Sequence, residues 1–226
     1  MNKKKNPDPI LKETIFFETI VNIESLNIFC DASMRSFPNN PTGCYGIVAV
    51  CCNNIIDFDT RYSSHSTNNE TELKGLRGAI LMASKWKQYY PFINIFCDSQ
   101  FAILGLREYI WKWKIKDGNY INSLGKVTAH QEIFIECNQL LTNLQLTNRV
   151  HLYHQLGHIS NGIDELQRAA RSFEEFNHVN APIDLNLIRY ISSWNNYVDN
   201  KSRQQLRPNG LSNENYRDPI KFHLQI

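Results

Sequence analysis

The pentapeptide NIFCD occurs twice, at Asn27–Asp31 and again at Asn94–Asp98, and no other feature restricts the fold of this chain as tightly. From Asp31 the chain continues as DASMRSF and from Asp98 as DSQFAIL, sharing little, so a plain internal repeat is excluded. Each copy instead reads as the end of a short apolar strand. Side chains alternate along a strand, so two such strands lying parallel and in register set Asp31 beside Asp98 at the carboxyl edge of one sheet. Parallel neighbours need a crossover connection. The intervening chain supplies one: Leu73, Leu76, Ile80 and Ala83 recur at helical spacing between Asn69 and Gln88, and Pro91 ends the helix before the run Phe92–Cys97. Two carboxylates that close repel each other unless one is protonated or a divalent cation holds both, and hard oxygen ligands suit magnesium or manganese. The competing explanation is that each Asp only opens the turn after its strand.

The remaining pattern completes an α/β order. Ser25–Asp31, Gly43–Cys52 and Ile55–Tyr62 read as three antiparallel strands, the last two joined by a hairpin at Asn53-Asn54. After Asp98 come a short helical stretch near Phe101–Leu106, an aromatic and basic segment YIWKWKIKDGNY (Tyr109–Tyr120), a helix around His130–Leu144 and a strand Val150–His154. The order is βββαβααβ, then helices. With 226 residues and 42% hydrophobic content, one sizeable core is expected. Six Cys without CxxC spacing argue against a zinc site or a disulfide framework and point to reduced thiols. A net charge of +2 leaves any nucleic-acid partner to local basic patches. The opening MNKKKNPDP leads into no long apolar run, so a cytoplasmic protein without a membrane span is expected.

A third carboxylate lies in TNNETEL, Thr67–Leu73, at the start of the long helix. Glu72 shares a helix face with Leu76 and so follows the apolar stripe. Capping explains the same residues by themselves, because Thr67 with Glu70, or Asn69 with Glu72, has the spacing of a capping box. Asp closing the first strand, TNNxxEL opening the long helix and DSQ closing the next strand stand in a fixed order, and in this order the chain resembles the type 1 ribonuclease H family of bacteria, viruses and reverse-transcribing elements. The resemblance runs from about Ser25 to Gln205.

It implies a ribonuclease H-like fold, a mixed five-stranded sheet in βββαβαβα order flanked by helices, and two magnesium ions, replaceable by manganese, held by Asp31, Glu72 and Asp98. It also implies that Ser33, Asn68, Asn69, Ser99 and Gln100 line the groove for an RNA–DNA hybrid, with Thr67 a phosphate contact. The YIWKWKIK segment resembles the family's basic protrusion, with Trp111, Lys112, Trp113 and Lys114 holding the DNA strand; an amphipathic helix with Trp inside and Lys outside explains its spacing equally well.

For the fourth carboxylate the chain departs from the pattern. VHLYHQLGH (Val150–His158) is similar to the family's strand and Gly-His, with His158 in the place of its mobile histidine. Two aspartates follow. Asp164 in NGIDELQRAA has a local likeness but too short a preceding loop; Asp199 in NNYVDNKSR has Asn195 four residues before it and Ser202-Arg203 after it, where the family often has Ala-Arg. Asp199 fits better and demands a helical insertion, 160–187, before the last helix, which a surface loop absorbs at small entropic cost. Were Asp164 the ligand, His154 would replace His158. Two helices are expected in the insertion, with Leu185, Ile188 and Ile191 at helical spacing and Asp184 as a cap.

The expected activity is hydrolysis of the RNA strand of a hybrid by a monomer, through two ions, leaving 5′-phosphate and 3′-hydroxyl ends. The expected organisation is an extension 1–24, a catalytic domain 25–207 and a tail 208–226. Rival readings are a junction resolvase-like nuclease of the same fold, or a catalytically silent nucleic-acid-binding module of a replication or retroelement complex.

Overall fold

In the computed structural model, residues 25–35, 42–64 and 66–206 are described. The extension 1–24 and the tail 208–226 lie outside them. Strands β1 (Ser25–Arg35), β2 (Thr42–Cys51) and β3 (Asn54–Ser64) form an antiparallel meander, helix α1 (Asn68–Trp86) crosses over, and β4 (Phe92–Cys97) pairs parallel with β1. Helices α2 (Gln100–Leu104) and α3 (Gln131–Gln145) flank a hairpin of β5 (Lys114–Lys116) and β6 (Asn119–Ile121); then follow β7 (Arg149–His154), α4 (Ile163–Asn177) and α5 (Leu185–Gln205). The main sheet has five strands in the order β3-β2-β1-β4-β7. This is the mixed, helix-flanked sheet expected of a ribonuclease H-like fold.

The two NIFCD copies pair residue for residue, Asn27 with Asn94 through to Cys30 with Cys97. Like therefore meets like across the ladder. Asn94 Nδ2 donates to Asn27 Oδ1 at 2.9 Å, and Asn27 Nδ2 donates to the hydroxyl of Tyr190 on α5 at 3.3 Å. One buried amide thereby supplies a donor to the other, the kind of pairing that burial favours. Phe29 stacks on Phe96 with centroids 4.7 Å apart, and Phe96 stacks on Tyr153 of β7 at 5.1 Å. An aromatic row thus runs across the three parallel strands on one face.

That face carries the core shared with α4 and α5, including Phe173, Ile188, Ile191, Trp194 and Val198. Leu26, Ile28 and Cys30 point to the other face, where α1 and α3 pack through Leu73, Leu76, Ile80, Phe134 and Leu141. Asp31, two residues after Phe29, belongs to the α5 face. Gly46, its cross-strand partner, lets α5 approach: a Cβ there would stand 2.9 Å from Val198 Cγ1 and 3.2 Å from the Val198 carbonyl oxygen.

Several expectations shift. The β2–β3 loop is Cys52-Asn53, both with positive φ (48° and 63°), one residue earlier than Asn53-Asn54; a tight two-residue hairpin needs left-handed residues at both positions. The segment after α2 is neither one amphipathic helix nor a free protrusion but a π-helical turn Gly105–Tyr109, a 3₁₀ turn Ile110–Lys112 and then the hairpin. The insertion holds one helix, α4, because Leu185, Ile188 and Ile191 already belong to α5, which Asp184 caps by accepting from Asn186 N at 2.8 Å. α4 packs against β7 and α5: the Asn177 side chain accepts from His154 N at 2.9 Å and donates to His154 O at 2.8 Å, covering the open edge of β7.

Replacing Gly46 with Ala should lower unfolding free energy by about 1–3 kcal/mol through overpacking. Urea titration of G46A, V198A and the double variant checks this, with Val198→Ala expected to relieve part of the G46A cost.

Candidate functional site

Asp31 lies at the β1 position beyond the last β1–β4 pair, and Asp98 directly after β4, so the register of the two pentapeptides delivers both carboxylates to one sheet edge. Glu72 reaches the same place from the first turns of α1, half-buried, and Asp199 from α5, 6% exposed. Asp31, Ser33, Asn68, Glu72, Asp98, His158 and Arg203 line one open cleft. Burial, then Asp98 and Asp199, push the Asp31 carboxyl well above the ordinary carboxylate range. Burial, then Glu72 and to a smaller extent Asp199, push Asp98 up to about 7. The four acids therefore feel one another.

Each carboxylate is held by identifiable donors. Asp31 Oδ1 accepts from Ala32 N at 2.6 Å, while its Oδ2 is buried without a hydrogen-bond partner. Glu72 accepts from Asn68 Nδ2 at 2.6 Å and from Ser99 Oγ on its other oxygen. Asp199 Oδ1 accepts from Arg203 Nε at 2.6 Å and from Ser33 Oγ at 3.2 Å, and Oδ2 stands 3.4 Å from His158 Nδ1. Ser33 also bonds Ser202 Oγ at 3.0 Å. Among the described residues, no three His, Cys, Asp or Glu side chains are so arranged that they would hold a metal ion as they stand. The donor set nevertheless fits a hard divalent cation: its ligating atoms are carboxylate oxygens, one of them an orphaned buried atom, and their mutual repulsion is of the kind that a cation relieves.

The loop after β7 is built to approach this cluster. Gly157 is needed because a Cβ there would meet Asp98 Oδ2 at 2.5 Å, and His158 follows it with φ 53°. Asn196 Nδ2 donates to Ile159 O at 2.9 Å and Gln155 Nε2 to Asn195 Oδ1 at 2.5 Å, so α5 carries both Asp199 and the anchors of the His158 loop. Asp164, by contrast, is exposed in the first turn of α4 and takes no part in the cleft. His154 is buried, its Nε2 3.1 Å from Asp98 O and its ring 4.1 Å from that of Phe176; burial lowers its pKa to about 4. A ring so enclosed cannot serve as a mobile histidine.

Of the remaining sequence-derived residues, Thr67 is exposed and caps α1, accepting from Glu70 N at 3.2 Å; Asn69 and Gln100 are exposed near the same helix starts. Ser99 caps α2 as well as holding Glu72. Trp113 does not offer a stacking face. It is 7% exposed, edge-on to Phe134 at 5.4 Å and Tyr120 at 6.0 Å, and pins the hairpin to α3. Trp111 is half-buried against the same core, whereas Lys112, Lys114 and Lys116 are exposed. Sequence reasoning passed over Arg203 as a group bound to Asp199; the i,i+4 spacing of an acid and a base on one helix was the available signal.

A family model described as RNase H matches residues 23–172. The chain belongs to the ribonuclease H family. The matched span takes in Asp31, Glu72, Asp98, His158 and Asp164 and ends before Asp199; in space it is Asp199 that stands with the first three acids. Among solved structures, the foamy viral protease-reverse transcriptase in complex with an RNA/DNA hybrid shares 15% identity, with 87% of this chain and 22% of that one covered and a TM-score of 0.50. Ribonuclease H1 of the halophilic archaeon Halobacterium salinarum NRC-1 shares 17% over 69% of this chain and 99% of its own, with a TM-score of 0.42. At such identities the likeness concerns the fold. A comparison with curated protein sequences gives no match. No helix among the described residues is long and apolar enough to cross a membrane.

A carboxyl whose folded-state pKa is raised stabilises the fold below its unfolded value and loses that stabilisation as pH climbs through the folded value. For Asp98 the window runs from 3.8 to about 7. His154, lowered from 6.5 to about 4, has the opposite slope, adding stability as pH rises through that interval. In chelator, Asp98→Asn should therefore be more stable than the parent at pH 7.5, with the difference shrinking to nothing near pH 4; urea titrations of both proteins across that range check it.

Proposed function

We propose that this ribonuclease H-family chain is an endonuclease that hydrolyses the RNA strand of RNA–DNA hybrids, acting as a monomer through a domain of residues 25–207 and leaving 5′-phosphate and 3′-hydroxyl ends. The observation that carries the proposal is the convergence of Asp31, Glu72 and Asp98 on one open cleft, with Asp199 close behind its lining, and with the pKa values of Asp31 and Asp98 raised by burial and by their acidic neighbours. Solved relatives of the fold with hybrid bound, the foamy viral enzyme among them, make a hybrid the natural substrate class.

Divalent magnesium or manganese, in a pair, would supply an activated water on one side of the phosphodiester and charge stabilisation for the departing oxygen on the other. Asp31 and Asp98 are the residues to hold such ions from the sheet, Glu72 from α1, and Asp199 from α5. Asn68 and Ser99 fix the Glu72 carboxylate by one hydrogen bond to each oxygen, so this long side chain is oriented before substrate arrives. His158, exposed on its loop and bonded toward Asp199, is positioned to accept a proton or help the product leave. Selecting RNA needs polar groups at the 2′-hydroxyl across a wide, shallow minor groove, and Asn68, Asn69 and Gln100 beside the cleft are the side chains for that contact. Lys112, Lys114 and Lys116 would meet the DNA phosphates as point charges, without ring stacking by Trp113.

Cleavage of a hybrid with labelled RNA strand should require magnesium or manganese and fall by about 100-fold or more in Asp31→Asn and Asp199→Asn, as expected when a group holding transition-state charge is lost. Asp164→Asn should stay within about twofold of the parent. Intact activity in D31N, or cleavage of four-way DNA in place of hybrid, would overturn the proposal.

A further inference from the structure

Three of the four acids line the cleft, and Asp199 does not. The side chains in front of it are Arg203 and His158, both of which do line the cleft. Arg203 Nε donates to Asp199 Oδ1 at 2.6 Å, and its Nη2 lies 3.2 Å from His158 Nε2, while His158 Nδ1 faces Asp199 Oδ2 at 3.4 Å. Arg203, Asp199 and His158 thus close a ring of three contacts across the α5 side of the cleft.

An acid and a base four residues apart on a helix commonly form an ordinary surface pair contributing a few tenths of a kcal/mol. Three features separate this pair from that description. The Asp199 side chain is 9% exposed although its partner's is 51% exposed, so the guanidinium covers a buried anion. Among the described residues that line the cleft, Arg203 is the sole Arg or Lys. Its guanidinium also reaches a second residue of the site, with Nη2 3.2 Å from His158 Nε2.

On the reading proposed above, we infer that Arg203 is a built-in cationic latch: its guanidinium occupies Asp199 and competes with the divalent cation that Asp199 would help hold, so that the ion on the α5 side binds more weakly than the ion among Asp31, Glu72 and Asp98. Ser33 is a neutral donor to the same Oδ1 and brings no positive charge. A divalent ion approaching Asp199 must displace the guanidinium or accept like-charge repulsion from it, whereas an ion at Asp31 and Asp98 meets an unpartnered oxygen. The latch releases when another anion takes up the guanidinium, and on the proposed reading the phosphodiester backbone of bound substrate is that anion. Loading of the second site is thereby tied to substrate.

Counting free Mn2+ by electron paramagnetic resonance during titration of the full chain, without nucleic acid, tests this without reference to turnover. The parent should take up one ion and a second about tenfold or more weaker. Arg203→Gln should narrow that gap to about threefold or less, tightening the weaker site while leaving the stronger unchanged. Arg203→Lys, which keeps a cation, and Ser33→Ala, which removes only a neutral hydrogen bond, should both keep the gap wide. Adding an RNA–DNA hybrid whose RNA strand keeps its 2′-hydroxyls and its anionic backbone but carries non-hydrolysable 3′-methylene phosphonate linkages should narrow it in the parent. Two equal sites in the parent, an unchanged gap in R203Q, or equal narrowing in S33A would each overturn the latch and leave the nuclease proposal standing. No Mn2+ uptake by the parent, or uptake unaffected by Asp31→Asn, would overturn both.

Discussion

The in-register pairing of β1 with β4 is the constraint on which the rest of this structure depends. Because side chains alternate strictly along a strand, a slip by one residue would turn Asn27, Phe29 and Asp31 to the α1 face and leave Asn94, Phe96 and Asp98 facing α5. The identical pentapeptides lock the register in two ways. The hydrogen bond between the buried amides of Asn27 and Asn94 forms only when they are directly opposed, and the stacked rings of Phe29 and Phe96 fill the core only in the same alignment. A buried amide without its partner costs about 1–3 kcal/mol, enough to disfavour each alternative register. Asp31 and Asp98 are carried to the edge as a consequence.

Bringing acids together in a half-buried cleft works against stability, and the surrounding residues moderate the cost by supplying donors. Asn68 and Ser99 serve Glu72; Ser33, Arg203 and His158 serve Asp199; the Ala32 amide serves one oxygen of Asp31. The provision is uneven. Asp199 has a full positive charge beside it, while the second oxygen of Asp31 has nothing. This asymmetry distinguishes the sheet side of the cleft from the α5 side.

Helix α5 joins the fold to the site. Its Val198 seats on Gly46, the cross-strand partner of Asp31, and its Tyr190 completes the Asn27–Asn94 network. Asn195 and Asn196 tether the loop that presents Gly157 and His158. α4, which lies between that loop and α5 in the chain, closes the edge of β7 instead of entering the cleft, so the inserted segment serves the sheet first.

The sequence by itself determined the strand, crossover and strand that hold the two NIFCD copies, the α/β class, and the meeting of Asp31 and Asp98 at one sheet edge, because these follow from local periodicity; Glu72 was singled out by the family resemblance, since capping explains it equally from spacing alone. The sequence favoured Asp199 over Asp164 on the residues around each and kept both open, since Asp164 has a local likeness of its own; the packing of α5 against Gly46 brings Asp199 to the other acids. It also left Trp113 open as a stacking platform, since alternation of Trp and Lys fits a wet face and a core face equally, and contact with Phe134 and Tyr120 decided for the core. What spacing cannot carry is which side of a distant element a residue meets: that depends on the close approach of backbones and on burial, which exist only once the chain has folded.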